Sequence, residues 1–186
     1  MQYILNQAKE ILIDEQVERC RNGDRQACFE IYRKYAKPML NSSMRIVNNL
    51  ADAEDMVQEA FADAFNNINT FTYKSSFEAW LRRIVINKSI SLIRKRRIKW
   101  IDFETTICIK PDDEPPDDEL MNYNVQCIKS AIDRLPYPQK IVFNMFAIDE
   151  LPQEEIAKLL GLSHGNVRII YHRARKKIIE TLNSKI

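Results

Sequence analysis

Leu151-Pro152-Gln153-Glu154-Glu155-Ile156-Ala157-Lys158-Leu159-Leu160-Gly161-Leu162-Ser163-His164-Gly165-Asn166-Val167-Arg168-Ile169-Ile170-Tyr171-His172-Arg173-Ala174-Arg175-Lys176 decides how the last third of this chain folds. Pro152 stands at a first helical position, with two acids in the turn that follows, where the helix dipole favours them. Ile156, Leu159 and Leu160 recur at helical spacing and form one buried stripe. Gly161 permits a sharp corner, and Ser163 is a good N-cap for a second helix running to Ile179. That helix places Val167, Ile170, Tyr171, Ala174 and Ile178 on one face. Asn166, Arg168, His172, Arg173, Arg175 and Lys176 fall on the other. A short helix, a Gly corner and a basic second helix are the grammar of a helix-turn-helix, whose second helix enters the DNA major groove. A helical hairpin with a solvated basic face shares the pattern, so the rest of the chain must decide.

At 186 residues, 45% hydrophobic and 29% charged, the chain has the composition of an ordinary globular protein. Three glycines and few alternating β-branched runs point to an all-α fold. The formal net charge of +2 conceals strong segregation. Arg82, Arg83, Lys88, Arg94, Lys95, Arg96, Arg97 and Lys99 follow one another with no acid among them. Asp102, Glu104, Asp112, Asp113, Glu114, Asp117, Asp118 and Glu119 come next, opposed by Lys110 alone. Adjacent blocks of opposite sign imply surfaces with different partners. Cys20, Cys28, Cys108 and Cys127 are scattered, and His164 and His172 are the only histidines. No metal site or cofactor is expected, and the cysteines read as reduced thiols of a cytoplasmic protein. Lys9, Glu10 and Asp14 interrupt the apolar start, so no signal peptide is visible, and no run approaches the length needed to cross a bilayer.

Residues 101–122 read as a flexible acidic linker containing Pro111, Pro115 and Pro116. It separates residues 1–100 from residues 123–186, both sizes at which small helical domains fold. In the first block a helix from Ile13 to Asn22 ends at Gly23, and Asp24 caps the next. Pro38 is read as starting another, Asp52 a fourth and Ser76 a long fifth. In the second block Val125, Ile128, Ile132 and Leu135 share a face, and Pro136-Tyr137-Pro138 separates them from Ile141, Val142, Met145 and Phe146.

Three stretches then line up in order. Asp52-Ala53-Glu54-Asp55-Met56-Val57-Gln58-Glu59-Ala60-Phe61 is the first. Phe77-Glu78-Ala79-Trp80-Leu81-Arg82-Arg83-Ile84-Val85-Ile86-Asn87, with Arg94-Lys95-Arg96-Arg97, is the second. Leu135-Pro136, Glu155-Ile156-Ala157, Ser163-His164-Gly165-Asn166-Val167-Arg168 and His172-Arg173-Ala174-Arg175 make the third. Together they resemble the extracytoplasmic-function sigma factors, a class of bacterial RNA polymerase sigma subunit, from about Glu15 to Ile178.

The resemblance implies a promoter-specificity subunit without catalysis of its own. It would bind core polymerase, promoter DNA and an anti-sigma protein, and no small-molecule substrate. Asp52, Glu54, Asp55, Gln58 and Glu59 would meet a coiled coil on the clamp of the largest core subunit. Phe71 and Asn87 would line a pocket for an unstacked minus-ten base, with Tyr73 and Lys74 on the loop around it. Arg83, Lys88, Arg94 and Arg96 would follow phosphates. Trp80, in phase with Phe77, Leu81 and Ile84, reads as core. Asn166, Arg168, Ile169, His172, Arg173 and Lys176 would read the minus-thirty-five duplex, where an Arg can pair bidentately with guanine. Ile169, Ile170 and Pro152 depart from the family's usual residues, so the promoter sequence does not follow from the resemblance. The linker suits a basic channel or serves as a tether, and residues 1–13 add a helical turn or a tail. A stand-alone helix-turn-helix regulator is the alternative, but it needs neither the Asp52–Phe61 helix nor the basic run of the first block. Acids on a single helix give no support to a nucleic-acid enzyme.

Overall fold

The computed structural model describes residues 13–96 and 124–184. The regular elements among these residues are helical, and the chain divides into two compact units, Met1–Arg96 and Arg97–Ile186. The acidic stretch 101–122 lies outside the described residues.

In the first unit α1 (residues 13–21) turns at Gly23, whose φ of 89° belongs to the left-handed region that favours glycine. Asp24 caps α2 (Arg25–Val47) by accepting from the backbone N–H groups of Gln26 at 2.9 Å and Ala27 at 3.1 Å. Those bonds and the Arg19 ion pair at 2.7 Å hold its carboxyl below its ordinary range. Cys20 and Cys28 form a disulfide across this corner, so two of the residues expected as free thiols are joined. The scattered spacing concealed the pairing because the turn at Gly23 brings the two helices together.

Pro38 does not start a helix. It lies inside α2, which runs unbroken through it. The missing backbone bond and ring clash cost about 3 kcal/mol. Ile31, Tyr35, Met39 and Ile46, all buried on the same helix, outweigh that at about 1.5–3 kcal/mol for each buried large side chain.

Next, α3 (Leu50–Asn66) begins earlier than Asp52, because Asn49 is the cap and accepts from Asp52 N–H at 3.0 Å. Its face of Ala53, Met56, Val57, Ala60, Phe61 and Ala64 is buried. A 3-10 turn (Ile68–Thr70) leads to Ser76, which caps α4 (Phe77–Lys95) at Ala79 N–H as expected. Helices α2, α3 and α4 pack on one another around Phe61, Phe71, Phe77 and Leu81. Ser43 of α2 and Ser89 of α4 meet in the interior at 2.9 Å. Ser89 gives its only hydrogen to Val85 O, so Ser43 is the donor between them.

The second unit begins with α5 (Val125–Asp133), capped by Asn124. Val125 is 66% exposed rather than part of the buried face, because the first turn runs past the core of Ala131, Ile132, Leu135, Phe143, Ala174 and Ile178. Then α6 (Tyr137–Phe143) passes into a π-helical turn, Asn144–Ile148. Pro152 occupies the N-cap of α7 (Gln153–Leu160), one place before the helix begins, and not the first helical position expected of it. Gly161 ends α7 at φ 69°, and Leu162 N–H returns to Ala157 O at 2.9 Å. Ser163 accepts from Asn166 N–H at 3.1 Å and opens α8 (His164–Asn183).

Candidate polymerase and nucleic-acid interfaces

The amphipathic spacing of α3 buries one side and turns Glu54, Asp55, Gln58 and Glu59 outward. Asp52 is the exception among the five acceptors expected to dock polymerase. Only 15% of its side chain is exposed, and the Arg96 guanidinium grips it, with one arm at 2.7 Å. The hydrogen bond to Arg96 is the main reason its carboxyl sits below the ordinary range. Lys88 of α4 reaches α3 as well, to Asp63 at 2.6 Å and Glu59 at 3.3 Å. Those carboxylates, Asp63 foremost, hold its ammonium above the usual lysine value. Two cations expected on phosphates are therefore paired with the acidic helix. Lys74, Asn87 and Arg94 are exposed, and Arg83 is half-buried.

The loop between the 3-10 turn and α4 differs from expectation at its centre. Phe71 is 3% exposed and packs on Phe77 at 5.5 Å and Trp80 at 5.4 Å. Its ring is part of the core and offers no face to a base in this conformation. An aromatic residue after a 3-10 turn reads alike in either role, so the sequence carried no signal to separate them. Trp80 packs against the same core, as expected. The exposed aromatic of the loop is Tyr73, 41% exposed at a left-handed φ of 59°. Its hydroxyl donates to the Glu18 carboxylate, and Arg21 lies over its ring at 5.5 Å. Burial first, then Glu18, push the phenol up to about 12. Glu18 and Arg21 belong to α1 and were not singled out from the sequence.

On α8, Arg168 and Lys176 are exposed, while Asn166, Ile169, His172 and Arg173 are half-buried. Ile170 is 1% exposed and Arg175 only 4%, so Arg175 leaves the basic face on which its charge had placed it. Helical phase explains this: Arg175 lies one turn before Ile178 and Ile179, on the buried side. Tyr171 stacks on Phe143 at 5.8 Å and meets Phe146 edge-on at 4.7 Å, which anchors the middle of α8. The described residues bring together no group of three or more His, Cys, Asp or Glu side chains suited to a metal ion.

One unit with an acidic outward helix beside a basic helix, and another ending in a helix-turn-helix with basic residues outward, define a two-part DNA-binding transcription protein. Residues 31–98 match the family description "Sigma-70 region 2", and residues 125–178 match "Sigma-70, region 4". The chain is 30% identical to the extracytoplasmic-function sigma factor SigW of Bacillus subtilis, over 93% of this chain and 98% of that one. It is also 30% identical to the sigma-E factor of Escherichia coli K12, over 87% and 90% of the two chains. Its fold resembles that of CnrH in complex with the cytosolic domain of CnrY, at a TM-score of 0.53, 23% identity and coverage of 92% and 97%. It likewise resembles the sigma factor RpoE in complex with the anti-sigma factor NepR from Bartonella quintana, at 0.52, 20% identity and coverage of 84% and 97%. The chain belongs to the extracytoplasmic-function sigma factors of the sigma-70 family. It is a promoter-specificity subunit of bacterial RNA polymerase, and sigma factors are non-catalytic initiation factors.

Proposed function

We propose that residues 1–100 dock core polymerase and read the opened minus-ten element, that residues 123–186 read the minus-thirty-five element, and that residues 101–122 join them. The exposed α3 face of Glu54, Asp55, Gln58 and Glu59, opposite a wholly buried one, carries the docking part of this reading. Acceptors in that row suit a basic coiled-coil surface on the polymerase clamp. Lys74, Arg83, Asn87 and Arg94 lie along one strand of melted DNA, with Tyr73 supplying the stacking surface. On α8, Arg168 and Lys176 reach the major groove, flanked by Asn166, Ile169, His172 and Arg173. The subunit has no chemistry of its own and works in the cytoplasm alongside polymerase. The Bartonella quintana sigma factor RpoE is found in complex with the anti-sigma factor NepR, and an anti-sigma protein that covers these surfaces keeps the present factor silent.

Size-exclusion of the full chain with bacterial core polymerase tests the docking surface. The wild type co-elutes with core, and an Asp55→Arg/Gln58→Ala variant does not. A variant that co-elutes as the wild type does moves the docking surface off α3. A wild type that binds promoter duplex but not core favours the stand-alone regulator.

A further inference from the structure

Besides the α4 rings on which Phe71 packs, one residue from outside both the loop and α4 fixes the minus-ten loop. Arg21 is on α1, nearly fifty positions earlier in the chain. Its Nη2 donates to the backbone carbonyl of Phe71 at 2.9 Å and to that of Ile68 at 3.3 Å. Its Nη1 pairs with Glu18 one turn back on α1, and the same Glu18 oxygen accepts the Tyr73 hydroxyl. The guanidinium also lies 5.5 Å from the centre of the Tyr73 ring. One side chain therefore binds the backbone before the loop tip, the carboxylate that holds the tip's aromatic, and that aromatic itself. Only 22% of the Arg21 side chain is exposed.

This arrangement sorts the two aromatics. Phe71 is fixed with its carbonyl to Arg21 and its ring to the core, 4.6 Å from Tyr73. Tyr73 is kept outward in a left-handed conformation that a bulky residue does not adopt without outside contacts. Helix α1 is itself secured to α2 by Ile13 and Val17 in the core, by the Arg19–Asp24 pair and by the Cys20–Cys28 disulfide next to Arg21.

We propose that Arg21, acting with Glu18, is a positioning residue for promoter recognition: it holds residues 68–73 so that the Tyr73 ring is presented to an unstacked base. The inference rests on the proposal that this loop reads the minus-ten strand. Arg21 does not touch the base. It lowers the entropy the loop loses on binding, which raises affinity for a stacked base over bare backbone.

The test uses holoenzyme assembled from core polymerase and the full-length factor. Single-stranded oligonucleotides selected by the wild-type holoenzyme from a randomised pool are compared with copies made abasic at one position at a time. For the wild type, one abasic position is expected to weaken binding about tenfold, the range of one base–aromatic stack. Arg21→Ala is expected to reduce that penalty to under about twofold. Its backbone-driven binding, its binding to core and its thermal midpoint should stay close to wild type. Arg21→Lys has one nitrogen, which can hold the two carbonyls as Nη2 does but has no second arm to pair with Glu18 as Nη1 does, so an intermediate penalty is expected. Tyr73→Ala should abolish the penalty with α1 intact, which separates the stacking ring from its support.

A full abasic penalty in Arg21→Ala overturns the positioning role. Equal loss of core binding and base discrimination in both Arg21 variants also overturns it, because α1 is then a general stabiliser. If no position shows a penalty in the wild type, the minus-ten reading of this loop fails, and the role of Arg21 with it.

Discussion

Asp52 and Asn144 show how much one polar side chain depends on what faces it. Arg96 holds the Asp52 carboxyl below its ordinary value of 3.8. A carboxyl with a depressed folded pKa contributes stability above its unfolded pKa and loses it as pH falls through the folded one. Acidification below that ordinary value is therefore expected to narrow the gap between wild type and Asp52→Asn. Chemical denaturation at neutral and acid pH checks this, and a gap that widens on acidification contradicts it. Asn144, 1% exposed at the start of the π-helical turn, has neither side-chain polar atom hydrogen-bonded. Unsatisfied buried groups cost about 1–3 kcal/mol each, so Asn144→Leu, which keeps the branched side-chain skeleton, is expected to stabilise the second unit by about that amount. A lowered thermal midpoint would count against it. Residue type alone announced neither case. The same limit explains Phe71, Arg175 and Val125. An aromatic, a cation and an aliphatic each fit two environments, and phase against a neighbouring helix decides between them.

Elements were legible where their boundaries have a local chemical cause. Asp24, Ser76 and Ser163 cap the helices expected of them, and Gly161 turns the corner of the helix-turn-helix, because these signals act within a few residues. The uninterrupted α2 was not legible, since the proline signal is local and the burial that overrides it is not. The π-helical turn has no sequence period that a short window reveals. The exposed acids of α3 and the basic stretch of α4 were readable as faces, but the ion pairs between them depend on which helices become neighbours. The α1–α2 corner gives a prediction at this scale. Its disulfide links positions 8 apart, a short loop whose closure is worth about 2–3 kcal/mol. Cys28→Ser, or a thiol reductant on the wild type, should lower the stability of the first unit by about that amount. Equal thermal midpoints with and without reductant would refute it.

Over the whole molecule the charges nearly cancel at +2, yet Lys88 and Arg96 meet their opposite charges inside the first unit rather than across it. That has a consequence for the ions that surround DNA. A cation docking on a single strand normally displaces condensed counterions, which steepens the dependence of affinity on salt by about 0.7 in the logarithmic slope per cation. Lys88 and Arg96 must first part from carboxylates, which then gather cations from the solvent themselves. The wild-type factor should therefore show a shallower salt dependence on single-stranded DNA than its basic residues suggest. Asp52→Asn together with Glu59→Gln and Asp63→Asn should steepen it by about 0.7 for each cation released. A titration of binding against salt reads that slope directly, and an unchanged slope would mean that neither cation reaches the strand. A protein built this way carries part of its own ionic atmosphere, and its grip on opened DNA should vary less with the salt of the cell than its count of basic residues suggests.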